Sequence, residues 1–260
     1  MPILSLKNLH KRFGKLVVLN GVSLEIEAGK TLVVLGPSGT GKSVLLKHIV
    51  GLLKPDRGEV FFEGRRIDNL KERELAEVRE DFGFLFQMGA LFDSLTNLEN
   101  VGFPLKEHTK LSPAEIADKA REKLAMVGLP DAGPKMPGEM SGGQRKRIAL
   151  ARAIALNPKV ILYDEPTTGL DPIRSDVINE LILRLQQQLG VTSIVVTHDM
   201  NSAFKVADRI VMLHGGKLHF DGTAESIRQS EDPIVQRFIA GEAGADELAW
   251  MNTTKPADTA

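Results

Sequence analysis

Apolar positions along the chain repeat with two different periods. Residues 3–9, 16–19, 22–27 and 30–35 alternate or run apolar in short blocks, as strands do, with turn signals at Asn20-Gly21 and Ala28-Gly29-Lys30. A helix is predicted over about 41–52, and two more strands over 58–62 and 82–86. From about 88 to 140 the strand pattern stops. Residues 98–105 and 112–127 have helical spacing, and Ser112-Pro113-Ala114-Glu115 offers an N-cap serine, a first-turn proline and a capping-box glutamate. This stretch is predicted to be a helical insertion. Beyond it the two periods alternate: helix 141–156, strand 160–163, helix 172–189, strand 192–197, helix 200–207, then short strands near 209–213 and 217–220. The blocks 31–35, 160–163 and 193–196 are short and rich in β-branched residues, the mark of strands buried on both faces. Alternating helix and strand of this kind implies an α/β fold with a parallel sheet covered by helices. Residues 242–260 are polar with little periodicity and are predicted to fray.

Composition narrows the function classes. With 260 residues there is room for one large domain with a modest insertion, taken as residues 1–240, and for a polar tail over 241–260. Lys plus Arg is 33 against 34 for Asp plus Glu, so no basic excess exists to neutralise a nucleic-acid backbone. The absence of cysteine excludes disulfides, thiolate metal sites and cysteine nucleophiles. No run of 18 apolar residues occurs, so no bilayer crossing is expected, and the alternating start does not look like an export signal.

Three segments carry chemistry. Gly36-Pro37-Ser38-Gly39-Thr40-Gly41-Lys42-Ser43 matches GxxxxGK[ST] between an apolar strand and an apolar helix, the context that confirms a phosphate-binding loop. Its glycines let successive N–H groups point at phosphate oxygens, and the helix N-terminus adds about half a positive charge. Lys42 would reach the β- and γ-phosphates, and Ser43 would offer a hydroxyl to Mg²⁺. Residues 160–165 form an apolar strand ending in Asp164 and Glu165. Neighbouring strand residues face opposite ways, so both acids serve one site only if the strand ends between them. Asp164 would then hold Mg²⁺, and Glu165 would polarise an attacking water as general base. The third segment, Ser141-Gly142-Gly143-Gln144, opens a long helix with a capping serine and two exposing glycines, a second helix end suited to an anion.

Together these pieces resemble the nucleotide-binding subunit of ATP-binding-cassette (ABC) transporters. The run Met140-Ser141-Gly142-Gly143-Gln144-Arg145-Lys146-Arg147 resembles that family's signature, with methionine where leucine is usual. The resemblance spans about residues 3–230. It implies a P-loop NTPase core with an N-terminal antiparallel β subdomain, an inserted α-helical subdomain, and ATP with Mg²⁺ as ligands. It further implies that Phe13 stacks on adenine, that Gln87 sits near Mg²⁺ and the attacking water, that Asp171 belongs to a loop crossing a dimer interface, and that His198 reaches the γ-phosphate. In the family two copies pack head to tail, with Ser141 and Gly143 of one completing the ATP site of the other. A membrane-embedded permease is the expected partner.

The segment Gly89-Ala90-Leu91-Phe92-Asp93-Ser94, and residues 233–241, are similar to the ATPases of Mla/Mce phospholipid-trafficking systems. That implies a peripheral subunit on the cytoplasmic face of the inner membrane, possible further Mla/Mce-type subunits, and a lipid cargo handled by other chains. Leu91 and Phe92 are expected to be exposed in a lone subunit and to meet the permease. A cassette for another cargo, such as amino acids or lipoproteins, and a soluble ABC ATPase without a transporter, remain as alternatives.

Overall fold

The structure, a computed structural model, describes residues 2–242. Two sheets stack through shared helices. Strands β1 (Pro2–Phe13), β2 (Leu16–Glu27), β4 (Arg57–Phe62) and β5 (Arg65–Arg66) form an antiparallel sheet in the order β2-β1-β4-β5. The second sheet has six strands in the order β10-β9-β3-β8-β7-β6: β3 (Thr31–Leu35), β6 (Phe82–Leu85), β7 (Val160–Asp164), β8 (Thr192–Val196), β9 (Arg209–His214) and β10 (Lys217–Gly222). All its neighbours are parallel except the β9/β10 hairpin.

The apolar blocks do what their composition predicts. Every residue of β3 and β8 is buried. Alternate side chains of one strand feed opposite cores: Leu32 and Val34 pack toward the antiparallel sheet and α1 (Lys42–Ile49), while Val33 and Leu35 pack against the helices on the other face. Those helices include α5 (Gly142–Ala153), α6 (Pro172–Leu189) and α7 (Met200–Val206). Between Gln87 and Ser141 the described residues hold only helix and loop: α3 (Asn97–His108), α4 (Pro113–Met126) and two short 3-10 turns. The Ser112 capping box forms as predicted, with the Ser112 hydroxyl accepting from the Glu115 N–H and the Glu115 carboxylate from the Ser112 N–H.

The structure departs from the sequence expectations at three points. Asn20-Gly21 is not a hairpin turn but lies inside a continuous β2, where Gly21 (φ 79°) marks a bulge and the Asn20 N–H turns away to the Gly216 carbonyl. The reversal between β1 and β2 falls instead at Gly14-Lys15. The short helix α2 (Glu72–Arg79) falls where the apolar pattern predicts no element. Leu91 is half-buried and packs against the main core, so of the Leu91–Phe92 pair only Phe92 is exposed. Of the predicted tail, only Gly241 and Glu242 fall within the described residues.

Candidate nucleotide-binding site

The C-terminal ends of four parallel strands meet at one edge of the second sheet, where open α/β sheets bind ligands. Strand β3 delivers the phosphate loop, β6 delivers Gln87, β7 delivers Asp164 and Glu165, and β8 delivers His198. Phe13, the last residue of β1, closes the other side. Phe13, Ser38, Gly39, Gly41, Lys42, Ser43, Gln87, Asp164, Glu165 and His198 all line one cleft of about 460 Å³.

Glycine is required at two points of the phosphate loop. At Gly36 (φ 149°) a Cβ would stand 2.3 Å from the Leu213 carbonyl oxygen, and at Gly41 (φ 98°) it would stand 2.7 Å from Val18 Cγ1. The loop is therefore pressed against β9 and β2. Lys42 curls back over it, its Nζ donating to the carbonyls of Gly36 at 2.7 Å and Pro37 at 2.9 Å. Thr40 braces the same turn, its hydroxyl donating to Pro37 O at 2.8 Å. Burial lowers the Lys42 pKa, while the Glu165 and Asp164 carboxylates act to raise it. Ser43 Oγ donates to Asp164 Oδ1 at 3.0 Å. Burial raises the Asp164 pKa, opposed by the Ser43 hydrogen bond and reinforced by the neighbouring Glu165. An adjacent hydroxyl and carboxylate, with the Gln87 amide on the same cleft, make an all-oxygen donor set. That is the chemistry Mg²⁺ prefers, with phosphate oxygens and water completing it, so the residues present fit the ion.

The strand does end between the two acids. Asp164 is the last residue of β7, and Glu165 adopts a left-handed backbone (φ 50°), costing on the order of 1–3 kcal/mol for a non-glycine residue. That turn brings both carboxylates into the same cleft. Glu165 is pinned there: its N–H donates to Val196 O at 2.9 Å, Thr168 Oγ1 donates to Oε2 at 3.2 Å, and His198 Nδ1 lies 2.9 Å from Oε2.

Ser141, Gly142, Gly143, Gln144 and Asp171 do not line this cleft. Ser141 is exposed at the head of α5 and makes a capping box with Gln144, the Gln144 N–H donating to Ser141 Oγ at 3.4 Å and the Ser141 N–H to Gln144 Oε1 at 2.9 Å. Gly143 packs beside Arg174. Asp171 caps α6, accepting the Arg174 N–H at 2.9 Å.

Two contributors had no role assigned from sequence. Lys146 is buried on the inner stripe of α5 with Gly143, Ala149 and Leu150, and donates to the backbone of the Glu165 loop. A lysine on the apolar face of a helix was the available signal. Arg152, at the far end of α5, donates to the carbonyls of Gly89 at 2.9 Å and Ala90 at 2.8 Å, fixing the segment after Gln87.

A phosphate loop, a hydroxyl–carboxylate pair and a histidine-held glutamate on one parallel sheet define a P-loop ATPase. The ABC transporter family model matches residues 19–168. The "Probable ribonucleotide transport ATP-binding protein mkl" of Mycobacterium leprae is 46% identical over 92% of this chain and 69% of its own length. The "Intermembrane phospholipid transport system ATP-binding protein MlaF" of Haemophilus influenzae is 45% identical over 93% of this chain and 91% of its own. Among solved structures, the ATP-binding cassette MJ0796 in a dimeric post-hydrolysis state with ADP and Pi has a TM-score of 0.78 and 38% identity, over 85% of this chain and 98% of that one. The chain belongs to the ABC transporter family as an ATP-binding, ATP-hydrolysing cassette.

Proposed function

We propose that this cassette powers phospholipid trafficking between the inner and outer membranes, acting as a homodimer on the cytoplasmic face of the inner membrane. The observation that carries the cargo is similarity to the phospholipid-transport relative along nearly the whole of both chains. In this reading residues 1–240 are one nucleotide-binding domain carrying the 88–140 helical insertion, and the partners are an integral membrane permease and further Mla/Mce-type subunits. Among the described residues no helix is long and apolar enough to cross a membrane, which fits a division of labour with a permease.

Phe13 stacks on adenine, and Lys42 exchanges its loop carbonyls for the β- and γ-phosphates. Ser43, Asp164 and Gln87 would hold Mg²⁺, which when bound neutralises phosphate charge. With Oε2 held by His198 and Thr168, Glu165 offers Oε1 to the attacking water as general base. Ser141, Gly142, Gly143 and Gln144, outside their own cleft, contact the γ-phosphate in the site of the second copy. Asp171 lies in the loop between the copies.

For the permease, an aromatic groove of about 340 Å³ opens beside Gln87, with Phe84 stacked on Phe86 at 4.1 Å and Phe92 against Phe103 at 4.8 Å. Phe86 and Phe92 are more than 40% exposed, an apolar surface suited to a helix from a membrane partner. The test is to purify the tagged chain with its partners from detergent-solubilised membranes and reconstitute the complex in phospholipid vesicles. A co-purifying permease and ATPase activity stimulated by phospholipid are expected. A complex stimulated by ribonucleotides, the cargo in the mycobacterial relative's name, or by amino acids overturns the lipid cargo and leaves the ATPase standing.

A further inference from the structure

Lys146 has an unusual environment for a lysine. It lies five residues beyond Ser141 on α5 and is 6% exposed. Its ammonium donates to Pro166 O at 2.7 Å, Thr168 O at 2.7 Å and, more weakly, Glu165 O at 3.4 Å. Three donors thus meet three backbone carbonyls of one four-residue turn. Burial pushes its pKa down to about 8 while the Glu165 carboxylate opposes the shift. A buried cation costs stability unless its donors are satisfied; here they are, and what they hold is the turn that places the general base. That turn needs holding: Glu165 has the left-handed backbone, and Thr168, which donates to the Glu165 carboxylate, is the residue whose carbonyl Lys146 grips.

We propose that Lys146 is a positioning residue for hydrolysis: it clamps the Glu165–Thr168 turn to helix α5, so that the helix whose exposed head serves one ATP site sets the general base of the other. The second half rests on the head-to-tail dimer. Each copy's Ser141 then belongs to its partner's site, whereas each copy's Lys146 acts on its own Glu165. About 7.5 Å of helix axis separates the two positions at 1.5 Å per residue, so a shift at one end is felt at the other without an intervening loop. Lys146 itself does not line the ATP cleft. Its loss therefore acts on kcat through the position of Glu165 and spares nucleotide affinity.

The experiment compares Lys146→Met, which keeps the apolar stem, with Lys146→Arg, which keeps buried N–H donors. Expected for Lys146→Met is MgATP affinity within twofold of the parent, a cooperative melt, and kcat lower by about 10- to 100-fold, the scale of a misplaced catalytic group. Lys146→Arg should recover part of that kcat. An unchanged kcat in Lys146→Met overturns the proposal, as does a loss of affinity equal to the loss of kcat. Should Lys146→Met fail to melt cooperatively, Lys146→Gln takes its place, because its shorter neutral amide sets an acceptor against carbonyls and cannot reach all three; a parental kcat in that variant overturns the clamp.

Mixing then separates the two halves. In a mixed dimer of Lys146→Met and Ser141→Arg, both lesions fall on one site and the other site is intact, so activity should exceed that of either variant alone. If Lys146 instead supported the signature end, the two lesions would fall on different sites and no activity would return, which overturns the assignment to the chain's own Glu165. The control is a mixture of Lys42→Ala with Ser141→Arg. Recovery in the control alone sinks the proposal and keeps the dimer; recovery in neither sinks the dimer reading.

Discussion

Removing the Phe13 ring should weaken ATP binding through the base alone. The ring is 49% exposed, lines the nucleotide cleft, and has Lys11 Nζ 5.6 Å from its centroid. A side chain this open contributes little to the core, so Phe13→Ala should change folding stability by no more than about 0.5 kcal/mol. Stacking of a base on an aromatic ring is worth about 1–3 kcal/mol, which is a loss of roughly 5- to 150-fold in affinity. The assay is titration of the purified chain with MgATP by calorimetry, beside a thermal melt. Inorganic tripolyphosphate supplies the internal control, because it presents the phosphates without a base. The variant should bind it as the parent does. Restoring an aromatic with Phe13→Tyr should restore ATP affinity. Equal losses for ATP and tripolyphosphate, or a lowered melting temperature with unchanged ATP affinity, would refute the stacking role and make Phe13 a prop for the β1/β2 turn.

Other expectations follow from the same geometry. Glu165→Gln keeps the turn and removes the base, so ATP should bind while turnover drops by about two orders of magnitude or more; steady-state hydrolysis beside nucleotide titration checks both. Ser141→Arg and Lys42→Ala should each be inactive alone and partly active when mixed, and complete inactivity of the mixture would contradict composite sites. Asp68 offers a pH test away from the site. Its carboxylate accepts the Val60 N–H at 2.8 Å and the Arg66 guanidinium at 2.9–3.2 Å; burial raises its pKa, but these bonds outweigh burial and hold it below the ordinary value. Its stabilisation is present above the unfolded pKa of about 3.9 and is lost as pH falls through the lower folded value. Asp68→Asn should cost about 1.5–3 kcal/mol at neutral pH, and denaturant melts should show the gap to the parent closing below about pH 4; a gap independent of pH would be evidence against the ion pair.

Strands β3, β7 and β8 were legible because each is buried on both faces and so runs continuously apolar, and the phosphate loop because its spacing follows from its chemistry. The bulge at Gly21 was not legible: a positive-φ glycine beside asparagine is also the signal of a two-residue hairpin, and only the pairing of Asn20 with Gly216 tells them apart. Helix α2 carries just two buried residues, Leu75 and Val78, too few to set a period. Leu91 and Phe92 are indistinguishable in sequence, being adjacent and apolar, yet the direction of each side chain depends on Gly89 and Ala90, both in left-handed backbone. In the site, the convergence of Asp164 and Glu165 was conditional on a strand end that sequence does not mark. The contacts of Lys146 are to backbone carbonyls 19–22 residues away, and carbonyls carry no signature in a sequence.

The four strand ends that meet at the nucleotide cleft come from residues as far apart as Gly36 and His198. No single stretch of chain holds enough of them to bind ATP, so an unfolded molecule has essentially no affinity to compete with the native one. Ligand binding and folding are then thermodynamically linked, and saturation at a hundred times Kd adds about 2.7 kcal/mol to the native state. A substantial share of the working stability of the cassette is therefore lent by its own substrate. A cell depleted of ATP would lose transport and, with it, part of the margin that keeps this subunit folded.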